Sequence, residues 1–135
     1  VPGSSAVFGY GVCSYANEAK EKLLSVDSET LFAHGAVSPE TALEMARGML
    51  SLSGADIAVS TTGIAGPDGG TKEKPVGLVY TAGATKDGIA KVKELRLGSI
   101  ENACRSTIRY AAASEALLLV YETLIRAEEN TENKR

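Results

Sequence analysis

Thr61-Thr62-Gly63-Ile64-Ala65-Gly66-Pro67-Asp68-Gly69-Gly70 runs on to Lys74-Pro75-Val76-Gly77 and lies between two apolar runs, Ile57-Ala58-Val59 and Leu78-Val79-Tyr80. The apolar runs read as buried strands. The glycines and the proline between them exclude a helix or a strand interior. Glycines let backbone N–H groups approach a ligand, and anions favour such concave, N–H-rich loops. A loop at the carboxyl end of a strand is also where open α/β sheets bind ligands. A long surface turn with a Pro-Asp-Gly-Gly tip accounts for the glycine content equally well. No Gly-Lys-Ser/Thr closes the loop and no GxGxxG is present, so it is neither a Walker loop nor a dinucleotide fingerprint.

Outward from the loop, local signals place the other elements. Upstream, Ser38-Pro39-Glu40 is a helix start, with a capping hydroxyl, proline at the first helical position and an acid in the first turn. Ala42, Met45, Ala46, Met49 and Leu50 then recur at spacings of three and four, which buries one face, and Gly54 stops the helix. Asn17 to Leu24 reads as a short helix. Ser28 to Ala33 reads as a second, capped by Ser28 and ended by His34-Gly35. Residues 6–15 are rich in β-formers and read as a strand, with Gly9 and Gly11 marking a bulge or a close neighbour. Downstream, strands are expected over Ile57–Ser60, Val76–Gly83 and Ile89–Leu97. Asp87-Gly88 makes the last two a hairpin. Alternation in Val92 to Leu97 wets one face of that strand, as near a sheet edge. Glu101 to Ala127 reads as a long helix with Ala112, Ala116, Leu117, Leu119, Val120 and Leu124 on its apolar face. The fold class is α/β, a mixed β-sheet with helices packed on it. One domain is expected over residues 1–127, with the polar stretch 128–135 as a frayed tail.

Composition narrows the function. Of the 135 residues 5% are aromatic and none is Trp, so the core is aliphatic. A net charge of −3 argues against nucleic acid as the main partner. No apolar run nears the roughly 20 residues of a membrane span. Cys13 and Cys104 have no metal-ligand spacing, and with one His in the chain no metal site is expected. The two cysteines read as buried free thiols of a cytoplasmic protein, a disulfide being the alternative.

Tyr15 and Lys20 stand five residues apart at a strand–helix junction. A lysine that is partly desolvated loses its proton near neutral pH and serves as a base, and a neighbouring Tyr hydroxyl relays protons. On spacing alone the plainer reading prevails, a solvated lysine and a tyrosine at a strand end. Arg109 and Arg105 lie a turn apart on the last helix. An arginine fork suits phosphate or carboxylate, though Glu101 and Arg105 also fit a solvated i,i+4 pair. His34 reads as part of a helix end. Asp68 and Glu73 lie in the flexible loop and are not advanced as a pair.

Several segments in one order carry a resemblance. They are Val1-Pro2-Gly3-Ser4-Ser5-Ala6-Val7-Phe8, Ser14-Tyr15-Ala16-Asn17-Glu18-Ala19-Lys20, His34-Gly35-Ala36-Val37-Ser38, and Thr62 to Gly70 with Glu73 to Gly77. Together they resemble the C-terminal domain of the competence/damage-inducible CinA proteins, a family that includes stand-alone nicotinamide mononucleotide deamidases. The resemblance implies α/β/α layers and an amidohydrolase without metal or cofactor. Its substrate would be the carboxamide of nicotinamide mononucleotide, its products nicotinate mononucleotide and ammonia. It also implies a cytoplasmic homo-oligomer whose partner is a small nucleotide rather than nucleic acid or membrane. By position, Tyr15 and Lys20 match the catalytic Tyr and Lys. Thr62 and Gly63, with Ala65 and Gly66 beside them, match the substrate loop. Arg109 best matches the phosphate arginine. Arg105 competes for that role, because Gly98-Ser99-Ile100-Glu101 replaces a Gly-x-Arg stretch. The family's serine nucleophile lies in an Ala-Glu-Ser-Cys-Thr-Gly-Gly motif ahead of Val-Pro-Gly-Ser-Ser, and neither Ser4 nor Ser5 takes its place. The expectation is a family domain lacking its first strand–helix unit and inactive by itself. The alternative is a non-catalytic nucleotide-binding or oligomerisation module.

Overall fold

Three antiparallel strands, β1 (Ile57–Gly63), β2 (Leu78–Thr85) and β3 (Ala90–Arg96), form a sheet of order β1-β2-β3. Thr61 pairs with Thr81 and Tyr80 with Glu94. The computed structural model describes residues 2–132, with side chains to residue 126. Ahead of the sheet come α1 (Asn17–Leu24), α2 (Ser28–His34) and α3 (Pro39–Ser53), and after it α4 (Arg105–Glu132).

The period of two along β2 sorts the layers. Ala82 and Ala84 meet Ala42 and Ala46 of α3, with Tyr80 and Val92 beside them. Val79, on the other parity, meets Ile108 of α4. A Cβ at Gly83 would touch Thr123 and Leu119 of α4. So α3 covers one face and α4 the other, the α/β/α arrangement expected. Alanine facing alanine lets α3 sit close to the sheet, close enough for Ser60 Oγ to donate to the Ala42 carbonyl at 2.5 Å. Covered on both faces, β2 is buried at seven of its eight positions.

Helix ends follow their chemistry. Ser38 Oγ accepts from the Thr41 N–H, with Pro39 next in line and Gly54 in the left-handed conformation at the far end. The α2 cap is Asp27, not Ser28: its side chain accepts from the Glu29 N–H, and Ser28 is already helical. The long helix starts at Arg105 rather than Glu101, because Asn102 is left-handed at φ 57° and breaks any earlier helix. Thr107 Oγ1 accepts from the Cys104 N–H at 2.8 Å, a side chain reaching back over the first turn. α4 continues to Glu132, so residues 128–132 of the expected frayed tail are helical, and residues 133–135 lie outside those described. Leu117 is exposed at 71%, off the buried face, and fully buried Thr123 takes a place on it. Among the described residues no helix is long and apolar enough to cross a membrane.

Two expectations fail for lack of partners. Residues 8–15 form no strand, and Val7, Phe8 and Tyr10 are exposed at 89%, 70% and 53%. A strand is a paired object, and none of the described strands pairs with this segment. Cys13 and Cys104 are free as expected but exposed, each lying in an irregular surface stretch.

On the α4 face, Lys91 and Lys93 of β3 hold Glu122, with Lys93 Nζ at 2.8 Å. Those hydrogen bonds, to Lys91 first, bring the Glu122 pKa from 4.5 to about 2. A depressed carboxylate adds stability above its unfolded pKa and loses it as pH falls toward the folded one. Thermal melts of Glu122→Gln should therefore lie below wild type at pH 7 and converge on it between pH 4.5 and 2. A constant gap across that range would mean that Glu122 acts through packing alone.

Candidate active site

The carboxyl end of β1, the loop from Ile64 to Gly77 and the first turns of α4 converge on one cleft of about 340 Å³. The loop is closed at its base, where Ile64 N–H donates to Leu78 O at 2.9 Å and Gly77 N–H to Ile64 O at 2.7 Å. Thr61, Thr62 and Gly63 belong to β1, so the irregular loop begins three residues later than its glycine content suggests. Gly63 lies where a Cβ would strike Val79 at 2.6 Å and the Leu78 carbonyl at 2.8 Å. Only glycine keeps both the β1–β2 pairing and an open cleft floor there.

The cleft brings together Tyr15, Thr62, Gly63, Ala65, Arg105 and Arg109. Tyr15 is 88% exposed, its ring standing at the mouth. Arg109 is exposed, with no hydrogen-bond or ion-pair partner among the described residues. Arg105 is committed: its Nη1 donates to the Gly66 carbonyl at 3.0 Å and ties the loop to α4. Gly66 therefore serves the cleft through its carbonyl and does not line it. Thr62 lines the cleft with its backbone side, since its hydroxyl donates to the Ala36 carbonyl at 2.6 Å.

Lys20 is not the solvated lysine that spacing suggested. It is 5% exposed, and its Nζ donates to the Ser14 carbonyl at 2.8 Å and the Tyr15 carbonyl at 3.4 Å. Burial lowers its pKa, against a smaller opposing pull from Cys13. A neutral amine has two N–H donors, which these carbonyls occupy, and one free lone pair. The arrangement is suited to a base. Lys20 does not itself line the cleft but sits behind Tyr15.

Sequence reasoning missed the back wall. Lys74 Nζ donates to the carbonyls of His34 at 2.6 Å and Val37 at 2.8 Å, pinning the glycine loop to the 34–38 turn. Thr41 Oγ1 and Ser38 Oγ both donate to the Gly35 carbonyl, at 2.8 and 3.1 Å. A lysine inside a Gly/Pro-rich loop was the available signal, but its acceptors lie some forty residues away in the chain.

The chain matches the family described as CinA C-terminal domain over residues 1–124. A CinA-like protein of Chlorobaculum tepidum is 52% identical over 122 residues, which cover 89% of this chain and 29% of that protein. A CinA-like protein of Syntrophomonas wolfei is 55% identical over 118 residues, covering 87% and 27%. The chain thus spans under a third of the length of these relatives. Among solved structures, the competence/damage inducible protein CihA from Agrobacterium tumefaciens superposes with a TM-score of 0.77 at 47% identity, covering 81% of this chain and 64% of that one.

Proposed function

We propose a function from one premise: this chain belongs to the CinA C-terminal domain family. The function is hydrolysis of the carboxamide of nicotinamide mononucleotide to nicotinate mononucleotide and ammonia, performed by the whole protein of which these residues form the cleft. The observation that carries it is Lys20, a buried, desolvated lysine behind a tyrosine at the mouth of a cleft that also holds an unpaired arginine.

Amide hydrolysis through an acyl-enzyme needs a nucleophile, a base and a way to fix the substrate. Lys20 removes the proton of a serine hydroxyl as the oxygen attacks the carboxamide carbon. Tyr15 passes that proton to the leaving nitrogen, ammonia departs, and water then cleaves the ester. Among the described residues no serine lines the cleft, and exposed Ser4 and Ser5 lie outside it. The nucleophile is therefore assigned to the wider protein, and the 135-residue chain should release no ammonia. Arg109 holds the phosphate. The Ala65 amide, which has no acceptor among the described residues, belongs to a residue of the cleft lining and is available to the same anion.

The base assignment sets a pH profile. Activity should rise with pH through an ionisation below the ordinary lysine value of 10.5, since burial favours the neutral amine. Ammonia release from nicotinamide mononucleotide by the full-length protein tests the whole reading. No release across that pH range would leave a nucleotide-binding module.

The arginines divide the labour. Arg109→Ala should raise KM for the mononucleotide roughly 10–100-fold, the loss of a charge-assisted bond. It should hardly change the KM of the nucleoside, which lacks the phosphate. Arg105→Ala frees the Gly66 carbonyl and should raise KM for both ligands alike, by loosening the loop. Equal effects of the two variants on both ligands would place the phosphate elsewhere.

A further inference from the structure

We propose that Thr61, backed by the buried hydroxyl of Thr81, hydrogen-bonds the sugar hydroxyls of the bound nucleotide and selects ribose at the cleft floor. The inference rests on the mononucleotide reading and adds the group that reads the sugar. Thr61 is exposed in the cleft lining. Its hydroxyl makes no hydrogen bond among the described residues, whereas those of Ser60 and Thr62 are committed to the Ala42 and Ala36 carbonyls. Arg105 is committed to Gly66. Among the described residues the polar side chains of the lining that remain free are thus Arg109, Tyr15 and Thr61. A pyridine mononucleotide has its phosphate at one end, its carboxamide at the other and its sugar between. With the phosphate on Arg109 and the carboxamide at Tyr15 in the mouth, the sugar falls to Thr61. Around that hydroxyl the lining is apolar, with Val79, Ile108 and Ala112 on it, so one directional polar group stands among walls that offer no rival.

Sheet geometry ties Thr61 to Thr81. The two are directly opposed in the β1–β2 register. The Ile64 and Lys86 N–H groups donate to the opposed Leu78 and Asp56 carbonyls, so the even-numbered positions of β1 are the hydrogen-bonded ones. Thr61 and Thr81 therefore form a non-hydrogen-bonded pair, the kind whose side chains come closest. Threonines paired in this way bond hydroxyl to hydroxyl. Thr81 lies between Val79 and Gly83 on the parity that faces α4, the face that Thr61 shares. It is fully buried, and its Oγ1 has no partner among the described residues. A buried hydroxyl left unpaired is costly, and the hydroxyl directly opposite is the group placed to satisfy it. With Thr81 donating to Thr61 Oγ1, the Thr61 proton is turned outward to a ribose oxygen, and each bond strengthens the other. Thr61 then touches the ligand, and Thr81 is a positioning residue that acts through it.

Calorimetric binding of nicotinate mononucleotide and its 2′-deoxy and 3′-deoxy analogues to the full-length protein tests this. The product is used so that nothing is turned over. Wild type should bind the ribonucleotide roughly tenfold tighter than at least one deoxy analogue. Thr61→Val should raise Kd for the ribonucleotide by about the same factor, leave that analogue unchanged and so erase the preference. Thr81→Val should weaken ribonucleotide binding about threefold or more, again without effect on the analogue, while its melting temperature stays level or rises because an unpaired buried hydroxyl is gone. Thr81→Ser keeps the hydroxyl and should restore the wild-type Kd. Equal binding of all three ligands by wild type overturns the proposal, as does a Thr61→Val variant that weakens all three alike. An unchanged Kd in Thr81→Val overturns the backing role. Failure of wild type to bind any of the three overturns the mononucleotide reading itself, and the proposal with it.

Discussion

Lys20→Ala in the full-length protein should lower kcat by about 10²–10⁴-fold while leaving KM for nicotinamide mononucleotide nearly unchanged. The reason is geometric. Lys20 lies behind the cleft rather than in its lining, so the ground-state ligand does not touch it. Its two N–H donors are spent on Ser14 and Tyr15 carbonyls, and what remains for chemistry is the lone pair. Lys20→Arg separates this from a purely structural role. Arginine keeps the donors but cannot deprotonate, so it should restore the thermal stability lost in the alanine variant and not the rate. Rescue of kcat by arginine would make Lys20 a clamp on the Ser14–Tyr15 turn and nothing more.

Gly48→Ala should destabilise the domain by about 3 kcal/mol or more, against a typical total of about 5–15. The sign is the sharp part. Glycine inside a helix is about 1 kcal/mol worse than alanine, so helix propensity alone predicts that the variant melts higher. In the structure a Cβ at Gly48 would fall on the carbonyl of Leu24, a backbone group that no side-chain rotation can move. α1 would have to lift off α3, and α1 carries Lys20. A melting temperature equal to or above wild type would show that the α1–α3 contact is looser than described.

What was legible in the sequence was local. α1 begins and ends where its helix formers do, the Ser38-Pro39 start reads directly as a cap, and Asp87-Gly88 turns the hairpin with Gly88 at φ 88°. These signals act within a few residues. The misses were non-local. The segment 6–15 has strand composition, but a strand is made by pairing, and none of the described strands pairs with it. The hydroxyl of Thr62 and the ammonium of Lys74 find carbonyls 26 and 37–40 residues away, which no local rule anticipates. The candidate site was legible only in part for the same reason. Tyr15, Gly63 and Arg109 were named and meet in one cleft, whereas the commitment of Arg105 to Gly66 emerged only once loop and helix were placed in space.

The stitching behind the cleft has a consequence for how freely this surface can vary. Lys74 and Thr62 recognise main-chain oxygens of residues 34, 36 and 37, which every amino acid possesses. The outline of the turn is thus independent of the side chains that decorate it. In a saturation library, stably folded variants should be abundant at His34 and Val37, where the stitch reads only the carbonyl. They should be scarce at Thr62 and Lys74, where the side chain is the thread. The turn is then a place to graft new specificity beside the cleft without redesigning its support.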